Sequence, residues 1–311
     1  DAKLAFTSSR AYASPRRLAV LVEGLATTQP EQDIERRGPA TAAAYKDGVP
    51  TPAALGFARS CGVEFAALET LKTDKGEWLV YRASQPGRPV RELLPEFLRD
   101  ALAALPIPKR MRWGSGDAEF VRPVHWLVLL HGAEVVPAEI YGISSGNTSR
   151  GHRFIGEQAI DITRPADYAS LLETRGKVLV DFDVRRERVR ALVKEAAASA
   201  GGRPLIDEAL LTEVTALVEW PSPITGSFDA HFLDVPREAL VASMQGHQKY
   251  FPLEGPDGGL LNRFVTIANI DSPQPSLIRD GNERVIRPRL SDAAFFFRKD
   301  RSQPLSARLG R

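Results

Sequence analysis

The sequence predicts an α+β fold, and the prediction depends on its hydrophobic patterning. Short segments rich in apolar and β-branched residues, typical of strands, lie at residues 16–26, 76–84, 177–182 and 261–270. Longer segments with apolar residues at helical spacing lie at residues 51–62, 88–105, 164–176, 184–202 and 207–218. Strands and helices alternate irregularly and no internal repeat occurs, so a doubly wound parallel sheet is disfavoured.

Capping residues predict several helix boundaries. Thr51 is expected to cap a helix that starts at Pro52 and stops before Gly62. Thr163 and Gly176 are expected to bound another helix in the same way. These residue types satisfy or terminate the unpaired backbone groups that every helix leaves at its two ends.

Prolines and glycines predict where further elements end. A short helix is expected to open at Pro236 and to end at Gly246, followed by an extended segment, QKYFP. In an extended chain Lys249 and Phe251 would lie on one face, because side chains alternate between faces. This stretch is therefore predicted to be a helix that turns into a strand.

Two other local predictions follow from turn residues. Residues 124–131 and 134–141 are expected to be strands that flank a hairpin at 131–133. Pro288 is expected to break or kink any helix within residues 281–301, and Ser291 is expected to cap a new helix that starts before Asp292.

A length of 311 residues predicts two domains. Residues 106–117, PIPKRMRWGSGD, combine two prolines and two glycines with cationic and aromatic side chains, as linkers and exposed loops do. We place the boundary here, which gives a small N-terminal α+β domain at residues 1–105 and a mixed α+β domain at 106–311.

The composition is that of an ordinary globular protein, with 43% hydrophobic residues, 26% charged residues and a net charge of +2. That charge is too small to argue for nucleic acid by itself, so any basic surface must be local. Cys61 is the only cysteine, which excludes an intrachain disulfide and a cysteine metal cage and fits a reducing compartment. No apolar run reaches the ~18 residues of a membrane span and no signal peptide is recognised, so a cytoplasmic chain without a membrane partner is expected. Because the chain opens on Asp1, we expect it to be a piece of a longer protein.

The sequence lacks the motifs that most often carry catalysis. It has no phosphate-cradling GxxxxGKS/T loop, no GxGxxG after a strand and no GxSxG elbow. Its five histidines lack the HExxH pairing of a metal site, so no metal is expected. The stretch SMQGHQKYFPL (243–253) places Ser243 near His247, but nothing local supplies an orienting carboxylate or an oxyanion hole. We expect no catalytic residue and interpret this stretch as a hydrogen-bonding corner.

Two other stretches are candidates for binding. In NTSRGHRF (147–154) two arginines and His152 surround a glycine, which fits a phosphate contact and a solvated loop equally well. In 281–301 three successive phenylalanines span too wide an arc for one helical stripe, so core or interdomain packing is favoured over base stacking. Seven cations from Arg279 to Arg301, against four acids, leave room for a phosphate-facing edge.

An ordered set of motifs carries a resemblance to a known family. The set is SPRRLAVLV, RRGPA, LKTDKGEWLVYR, LPIPKRMRWG, FVRPVHW, RGHRF, LVEWP, GHQKYFPL, ANI and GNERVIRPRLSDAAFFFRKD. In this order, from about residue 14 to residue 301, the motifs resemble the β subunits of bacterial two-subunit glycyl-tRNA synthetases. No single motif indicates a chemistry, but the ordered set is highly specific.

The resemblance implies a division of labour between two subunits. In this family the α subunit holds the class II catalytic core, with ATP and Mg, and the β subunit binds tRNA-Gly within an α2β2 heterotetramer. The resemblance also implies that residues 106–311 are similar to the B3/B4 domain of phenylalanyl-tRNA synthetase β chains. The family's acidic opening motif, its HD-type domain and its anticodon-binding domain are missing from this sequence, so a fragment without catalytic residues or cofactor is expected. Glycine is the smallest amino acid, so an editing sieve is not expected.

The candidate tRNA contacts share a cationic or imidazole side chain in a loop or at a junction. They are Lys109, Arg110, Arg112, Arg150, Arg153, His247, Lys249, Arg287 and Arg289. The alternative is that ion pairs with nearby acids account for about half of them. Two other functions remain open: a tRNA-deacylating hydrolase that uses His247 or His152, and a structural module anchored by the phenylalanines at 295–297.

Overall fold

The computed structural model describes residues 4–46, 48–74, 76–302 and 304, which form two compact units. The first unit comprises the chain up to Ser8 together with Val22–Pro108. The second comprises Ser9–Leu21 together with the chain from Lys109 onward. Both contain helices and antiparallel strands, so the α+β class is confirmed.

A hairpin near the start of the chain supplies residues to the second unit. Its strands are β1 (Ser8–Ser14) and β2 (Arg17–Glu23), which form a two-stranded sheet. Alternation along β2 buries Arg17 and directs Ala19 and Leu21 onto a core cluster, while Leu18 and Val20 are exposed. The strand predicted at 16–26 is therefore confirmed, with shorter bounds.

The first unit contains a three-stranded antiparallel sheet in the order β3-β7-β6. The strands of this sheet are β3 (Gln32–Ala40), β6 (Glu69–Thr73) and β7 (Gly76–Gln85). The short strands β4 (Tyr45–Lys46) and β5 (Val49–Pro50) of the same unit form a separate two-stranded sheet. Its helices are α1 (Thr41–Ala44), α2 (Pro52–Cys61) and α3 (Val90–Ala104), with a 3-10 turn at Phe65–Ala67. The predicted helices at 51–62 and 88–105 and the predicted strand at 76–84 are confirmed.

The ends of α2 match their predicted caps. The Thr51 hydroxyl oxygen accepts a hydrogen bond from the backbone nitrogen of Ala54 at 3.4 Å, and Pro52 occupies the first helical position. Gly62 adopts a left-handed conformation with φ of 72°, which ends the helix.

The second unit is built around a four-stranded antiparallel sheet in the order β16-β18-β19-β17. Its short early strands are β8 (Met111–Arg112), β9 (Glu119–Phe120), β10 (Leu130–His131), β11 (Glu134–Val135), β12 (Glu139–Ile140), β13 (Ile143–Ser144), β14 (Thr148–Ser149) and β15 (Ile160–Asp161). The main sheet contains β16 (Arg203–Pro204), β17 (Ser222–Ser227), β18 (Phe251–Glu254) and β19 (Leu260–Ala268). The helices are α4 (Tyr168–Thr174), α5 (Phe182–Ser199), α6 (Glu208–Leu217), α7 (Arg237–Ala242) and α8 (Pro275–Arg301).

The main sheet has a hydrophobic core on each face. Val265 of β19 packs with Val193 and Leu211 of α5 and α6, whereas the preceding Phe264 packs with Leu240 and Ile286 of α7 and α8. Adjacent residues of one strand point to opposite faces, so the two clusters lie on the two sides of the sheet. The predicted helices of α5 and α6 and the predicted strand at 261–270 are confirmed.

Several predicted elements of the second unit are wrong or shorter than predicted. The strand expected at 124–131 is reduced to β10, and the one expected at 134–141 is divided into β11 and β12. The hairpin between β10 and β11 is present and turns at Gly132 with φ of 63°. The strand expected at 177–182 is not formed. There Leu179 donates to the Glu219 carbonyl and Val180 accepts from Ala13, so single hydrogen bonds to separate segments replace a ladder.

The helix predicted at 164–176 starts differently from the expectation. A 3-10 turn at Pro165–Asp167 precedes α4. The N-cap of that turn is Arg164 and the N-cap of α4 is Asp167, so Thr163 caps neither. The predicted stop at Gly176 does follow the helix, since the Gly176 nitrogen donates to the Leu171 carbonyl.

Helix α8 is not broken at Pro288, and Ser291 lies within the helix instead of capping a new one. Proline removes one backbone hydrogen bond, but Pro288 is on the exposed side, where water satisfies the carbonyl that is released. Ile286, Leu290 and Ala294 are buried on the opposite side and pack in one core cluster. Tertiary packing therefore outweighs the local cost of the proline, which is about 3 kcal/mol.

Candidate nucleic-acid interface

A buried ion pair links the early hairpin to the body of the second unit. The Arg17 Nη1 lies 2.8 Å from the Glu219 Oε1, and the two side chains are 3% and 1% exposed. The Ser14 hydroxyl donates to the same carboxylate oxygen at 2.6 Å, and the Arg17 Nη2 donates to the Arg150 carbonyl at 3.0 Å. Burial lowers the pKa of Arg17, and the charge of Glu219 opposes that shift.

The backbone around Glu219 is fixed by a single amide side chain. The Asn269 Oδ1 accepts hydrogen bonds from the Glu219 nitrogen at 2.6 Å and from the Trp220 nitrogen at 3.1 Å. The Glu219 carbonyl in turn accepts from Leu179 at 3.0 Å. Motifs that are far apart in sequence, SPRR, RGHRF, LVEWP and ANI, therefore meet in one hydrogen-bonded network.

A second buried arginine completes this network without a carboxylate partner of its own. Arg185 on α5 is 0% exposed and donates to the carbonyls of Ala13 at 2.8 Å, Thr215 at 3.1 Å and Leu179. Burial lowers its pKa, while the charge of Glu219 raises it. Sequence reasoning missed Arg185, because an arginine on an amphipathic helix is normally expected on the polar face.

The loop at residues 150–154, with sequence RGHRF, is held by close backbone packing. The Gly151 nitrogen donates to the Glu157 carbonyl at 2.8 Å, and the His152 nitrogen donates to the Gly176 carbonyl at 2.7 Å. A Cβ on Gly156 would lie 2.0 Å from the Gly176 carbonyl oxygen. Such an approach is possible only for glycine, so the backbone that follows the 150–154 loop is packed directly on the Gly176 carbonyl.

His152 is an internal anchor of the 150–154 loop. It is 2% exposed, and its Nδ1 accepts a hydrogen bond from the Phe154 nitrogen at 3.3 Å. Burial lowers its pKa, against the opposing effects of the Glu219 charge and of hydrogen bonds with Asn269. The neutral imidazole is thus a structural group, and this arrangement does not favour a hydrolase that uses His152 as a general base.

The outward side of the same loop is basic and aromatic. Arg150, Arg153 and Phe154 are exposed, and Phe154 is 75% exposed. The guanidinium carbons of Arg16, Arg17 and Arg150 lie 5.8, 5.8 and 5.9 Å from the ring centre of Trp126. Within the described ranges, Arg16, Arg150 and Arg153 form no ion pair, so their charges are not compensated.

The stretch that follows α7 is a π-helical turn at Ser243–Gln248, and we call it the π turn. Gly246 lies inside this turn, so the prediction that it ends the helix is wrong. The turn ends at Lys249, which is left-handed with φ of 60°, and β18 starts only at Phe251. The expected extended segment at 248–252 is therefore wrong for Gln248 and Lys249, whereas Phe251 and Pro252 are extended in β18 as predicted.

Packing of two apolar side chains explains the π turn. Met244 is 0% exposed and Tyr250 is 2% exposed, and the wider turn allows both to enter the core. The Tyr250 ring stacks on Phe264 with 4.4 Å between ring centres, and its hydroxyl donates to the Asn282 Oδ1 at 2.6 Å. Burial raises the pKa of Tyr250 to about 12.

The candidates at the π turn have different surroundings. The Lys249 Nζ lies 2.9 Å from the Glu213 Oε2 and donates to the Gly246 carbonyl at 3.0 Å. His247 is exposed, and no described residue forms a hydrogen bond with its side chain. A general base needs an orienting partner, so this geometry does not favour hydrolysis by His247.

The remaining candidates lie on two other segments of the second unit. Lys109 is exposed, Arg110 is half-buried and Arg112 lies 3.5 Å from the Asp117 carboxylate. Arg287 and Arg289 are exposed on α8 and form no ion pair with another described residue. Helix α8 packs against the π turn, so Arg287 and Arg289 are on a helix that contacts the segment of His247 and Lys249.

The three phenylalanines of α8 divide between core and solvent. Phe297 packs against the core cluster that contains Ile286 and Leu290, as the core packing favoured from the sequence requires of at least one ring. Phe295 and Phe296 are 55% and 60% exposed.

Over residues 4–46, 48–74, 76–302 and 304, no group of three or more histidine, cysteine, aspartate or glutamate side chains is placed to hold a metal ion. In the same residues, every helix is too short or too polar to cross a membrane.

These features define an α+β protein whose second unit has a basic and partly aromatic surface. Residues 1–311 match the family model for the glycyl-tRNA synthetase beta subunit, and the chain belongs to that family. It is 55% identical over 308 residues to the glycine–tRNA ligase beta subunit of Chromohalobacter salexigens, which covers 99% of this chain and 45% of that protein. It is 51% identical over 309 residues to the same subunit of Hahella chejuensis and 50% identical over 312 residues to that of Histophilus somni, again over 45% of each protein. The chain thus spans about half the length of the curated relatives it matches.

Proposed function

We propose that this chain is part of the β subunit of a glycyl-tRNA synthetase and supports the attachment of glycine to tRNA-Gly without performing the chemistry. The observation that carries the proposal is the match of the family model to residues 1–311, together with relatives named as glycine–tRNA ligase beta subunits. The sequence supports the non-catalytic role, because it lacks phosphate-loop and nucleophile-elbow motifs.

The proposal includes the partners of the whole enzyme. An α subunit would bind ATP and Mg and form the aminoacyl bond within an α2β2 heterotetramer in the cytoplasm. Residues 106–311 would form a module similar to the B3/B4 domain of phenylalanyl-tRNA synthetase β chains. Residues 1–105 would form a separate N-terminal module.

The second unit would contribute contacts to the tRNA backbone. Arg150, Arg153, Arg287 and Arg289 are exposed and have no ion pair with another described residue, so their guanidinium groups are available to phosphates. By contrast, Arg112 and Lys249 have carboxylate partners at 3.5 and 2.9 Å. Any contact by these two would have to compete with an existing ion pair.

Titration of the intact chain with a tRNA-Gly transcript at several salt concentrations tests the tRNA-binding part. The logarithm of the association constant should fall linearly with the logarithm of salt concentration, because phosphate contacts release counterions. Arg287→Ala should weaken binding and lower that slope by about 0.9 if the contact is made to duplex. Arg164→Ala is the matched control, because Arg164 is 74% exposed but already paired with Asp167. Binding without salt dependence, or an equal loss in both variants, would contradict the phosphate contacts.

The subunit role has its own assay. Glycylation of tRNA-Gly by an α subunit should require the β chain that carries these residues, and a chain lacking 1–311 should not support it. Undiminished glycylation after that deletion would refute the role.

A further inference from the structure

Phe154 is the most exposed large hydrophobic side chain among the residues that the structure describes. Its exposed fraction of 75% exceeds those of Phe295 and Phe296, at 55% and 60%. A single exposed apolar residue needs no explanation by itself. Phe154 is different, because it is exposed in a loop whose backbone is closely packed, with its ring centre 6.1 Å from that of the buried His152.

Backbone contacts hold the 150–154 loop in this position. A Cβ on Gly151 would lie 2.5 Å from the Glu157 carbonyl oxygen, so the loop is packed directly on the neighbouring backbone. His152 is buried between the exposed side chains and accepts a hydrogen bond from the Phe154 nitrogen itself. Phe154 is therefore exposed on a loop whose backbone is held by close contacts, which lowers the entropic cost of ordering the loop when a partner binds.

The charge around the loop indicates which partner it fits. Arg150 and Arg153 both precede Phe154 in the same loop, and neither forms an ion pair with another described residue. Around Trp126, the three guanidinium groups of Arg16, Arg17 and Arg150 meet one carboxylate, that of Glu219, which leaves two uncompensated positive charges. An exposed aromatic ring beside uncompensated guanidinium groups fits a nucleobase with its adjoining phosphates.

We propose that the 150–154 loop binds an unstacked nucleotide of RNA. The Phe154 ring stacks on the base, and the guanidinium groups of Arg150 and Arg153 bind the phosphates on either side of it. Arg16 and Trp126 extend the basic surface along the strand. The nucleotide must be single-stranded, because a base inside a duplex has both faces covered by its neighbours. This inference rests on the proposed tRNA-binding function and assigns one part of it to one loop.

Equilibrium binding of the intact chain to a uridine oligonucleotide of about eight nucleotides, and separately to a tRNA-Gly transcript, tests the assignment. Phe154→Ala should weaken oligonucleotide binding about 5- to 150-fold, which corresponds to the loss of one base–aromatic stack. It should leave the salt dependence unchanged, since the ring makes no ionic contact. Arg150→Ala and Arg153→Ala should each lower the slope against the logarithm of salt concentration by about 0.7.

Two matched variants control for nonspecific effects. Phe296→Ala removes another exposed phenylalanine of the second unit, and Arg188→Ala removes another exposed arginine. Neither should change oligonucleotide affinity or its salt dependence. Circular dichroism and unfolding by urea should be the same for Phe154→Ala and the wild type, because the ring contributes little to the core.

The outcomes separate this inference from the function on which it rests. If tRNA-Gly binds to the wild type but oligonucleotide affinity is equal for Phe154→Ala and Phe296→Ala, the loop assignment is wrong and tRNA binding stands. If Phe154→Ala instead weakens association with the α subunit and leaves RNA binding intact, the loop contacts protein and the assignment is again wrong. If neither RNA binds to the wild type, both proposals are wrong.

Discussion

Removal of the Glu219 carboxylate would leave a charged guanidinium buried without a counterion. In the wild type Arg17 and Glu219 are 3% and 1% exposed and are separated by 2.8 Å. In Glu219→Ala the Arg17 guanidinium would keep a single hydrogen bond, to the Arg150 carbonyl, and the Ser14 hydroxyl would lose its hydrogen-bond acceptor. Loss of one partner from a buried pair costs about 3–5 kcal/mol in the free energy of unfolding, because the remaining charge is no longer solvated.

A matched surface pair provides the control. Glu157 and Arg175 form an ion pair at 2.5 Å, but their side chains are 49% and 44% exposed. Glu157→Ala should therefore cost about 0–1 kcal/mol, because water replaces the lost partner. The double variant Arg17→Met with Glu219→Leu should recover at least half of the loss in Glu219→Ala, since it leaves no buried charge.

Unfolding by urea should be followed in a Trp78→Phe background. The remaining tryptophans are Trp113, Trp126 and Trp220, all in the second unit, so their fluorescence reports on that unit alone. A cost for Glu219→Ala that matches that of Glu157→Ala would refute the reasoning. So would a double variant that is less stable than Glu219→Ala, because its residual charge is zero.

Three further predictions follow from individual residues. The folded-state pKa of His152 lies below its ordinary value of 6.5, so the folded state binds fewer protons than the unfolded state as the pH falls. The free energy of unfolding should therefore be highest above pH 6.5 and decrease as the pH falls below it. Urea unfolding at about pH 7 and about pH 5 should show this decrease in the wild type and a smaller one in His152→Gln. Gly156→Ala should lower the melting temperature and cost at least about 1–3 kcal/mol, because its Cβ would lie 2.0 Å from a backbone oxygen. The Cβ of Gly246→Ala would meet no atom within 4 Å, so that variant should be neutral or more stable by up to ~1 kcal/mol. Equal melting temperatures for the two variants would contradict the packing argument. Tyr250→Phe should cost about 1–2 kcal/mol in thermal unfolding, because the Asn282 Oδ1 loses a hydrogen bond of 2.6 Å, and an unchanged stability would show that water replaces it.

The elements that sequence reasoning predicted well are those whose signals are local. Thr51, Pro52 and Gly62 act on backbone groups within a few residues, so the bounds of α2 follow from the residue types at its two ends. The same holds for β7 and for the helical spacing of α5. Where tertiary packing competes with the local signal, the prediction fails, as with the break expected at Pro288, which lies on the solvent side of a continuous helix whose other side is buried.

The π turn and the buried arginines could not be predicted from local pattern. An inserted residue in a helix leaves no distinctive composition, and Gly246 has a typical helix-ending identity although its conformation is helical. Arg17 and Arg185 are in segments where an arginine normally faces water. Their burial depends on groups distant in sequence: the Glu219 carboxylate for Arg17, and the carbonyls of Thr215 and Ala13 for Arg185. The residue types are visible in the sequence, but their common meeting point is a property of the fold.

The RGHRF motif shows how one short stretch separates structural from binding residues. Gly151 and His152 have an evident internal role, since a Cβ on Gly151 meets backbone oxygen and the His152 ring is buried. Arg150, Arg153 and Phe154 instead have exposed side chains that form no ion pair with a described residue. Their described contacts are with rings: the Arg150 guanidinium carbon lies 5.9 Å from the Trp126 ring centre, and the ring centres of Phe154 and His152 are 6.1 Å apart. The Arg150 carbonyl, not its side chain, receives the hydrogen bond from Arg17. Substitution of the inward residues should therefore reduce stability, whereas substitution of the outward side chains should reduce RNA affinity at unchanged stability.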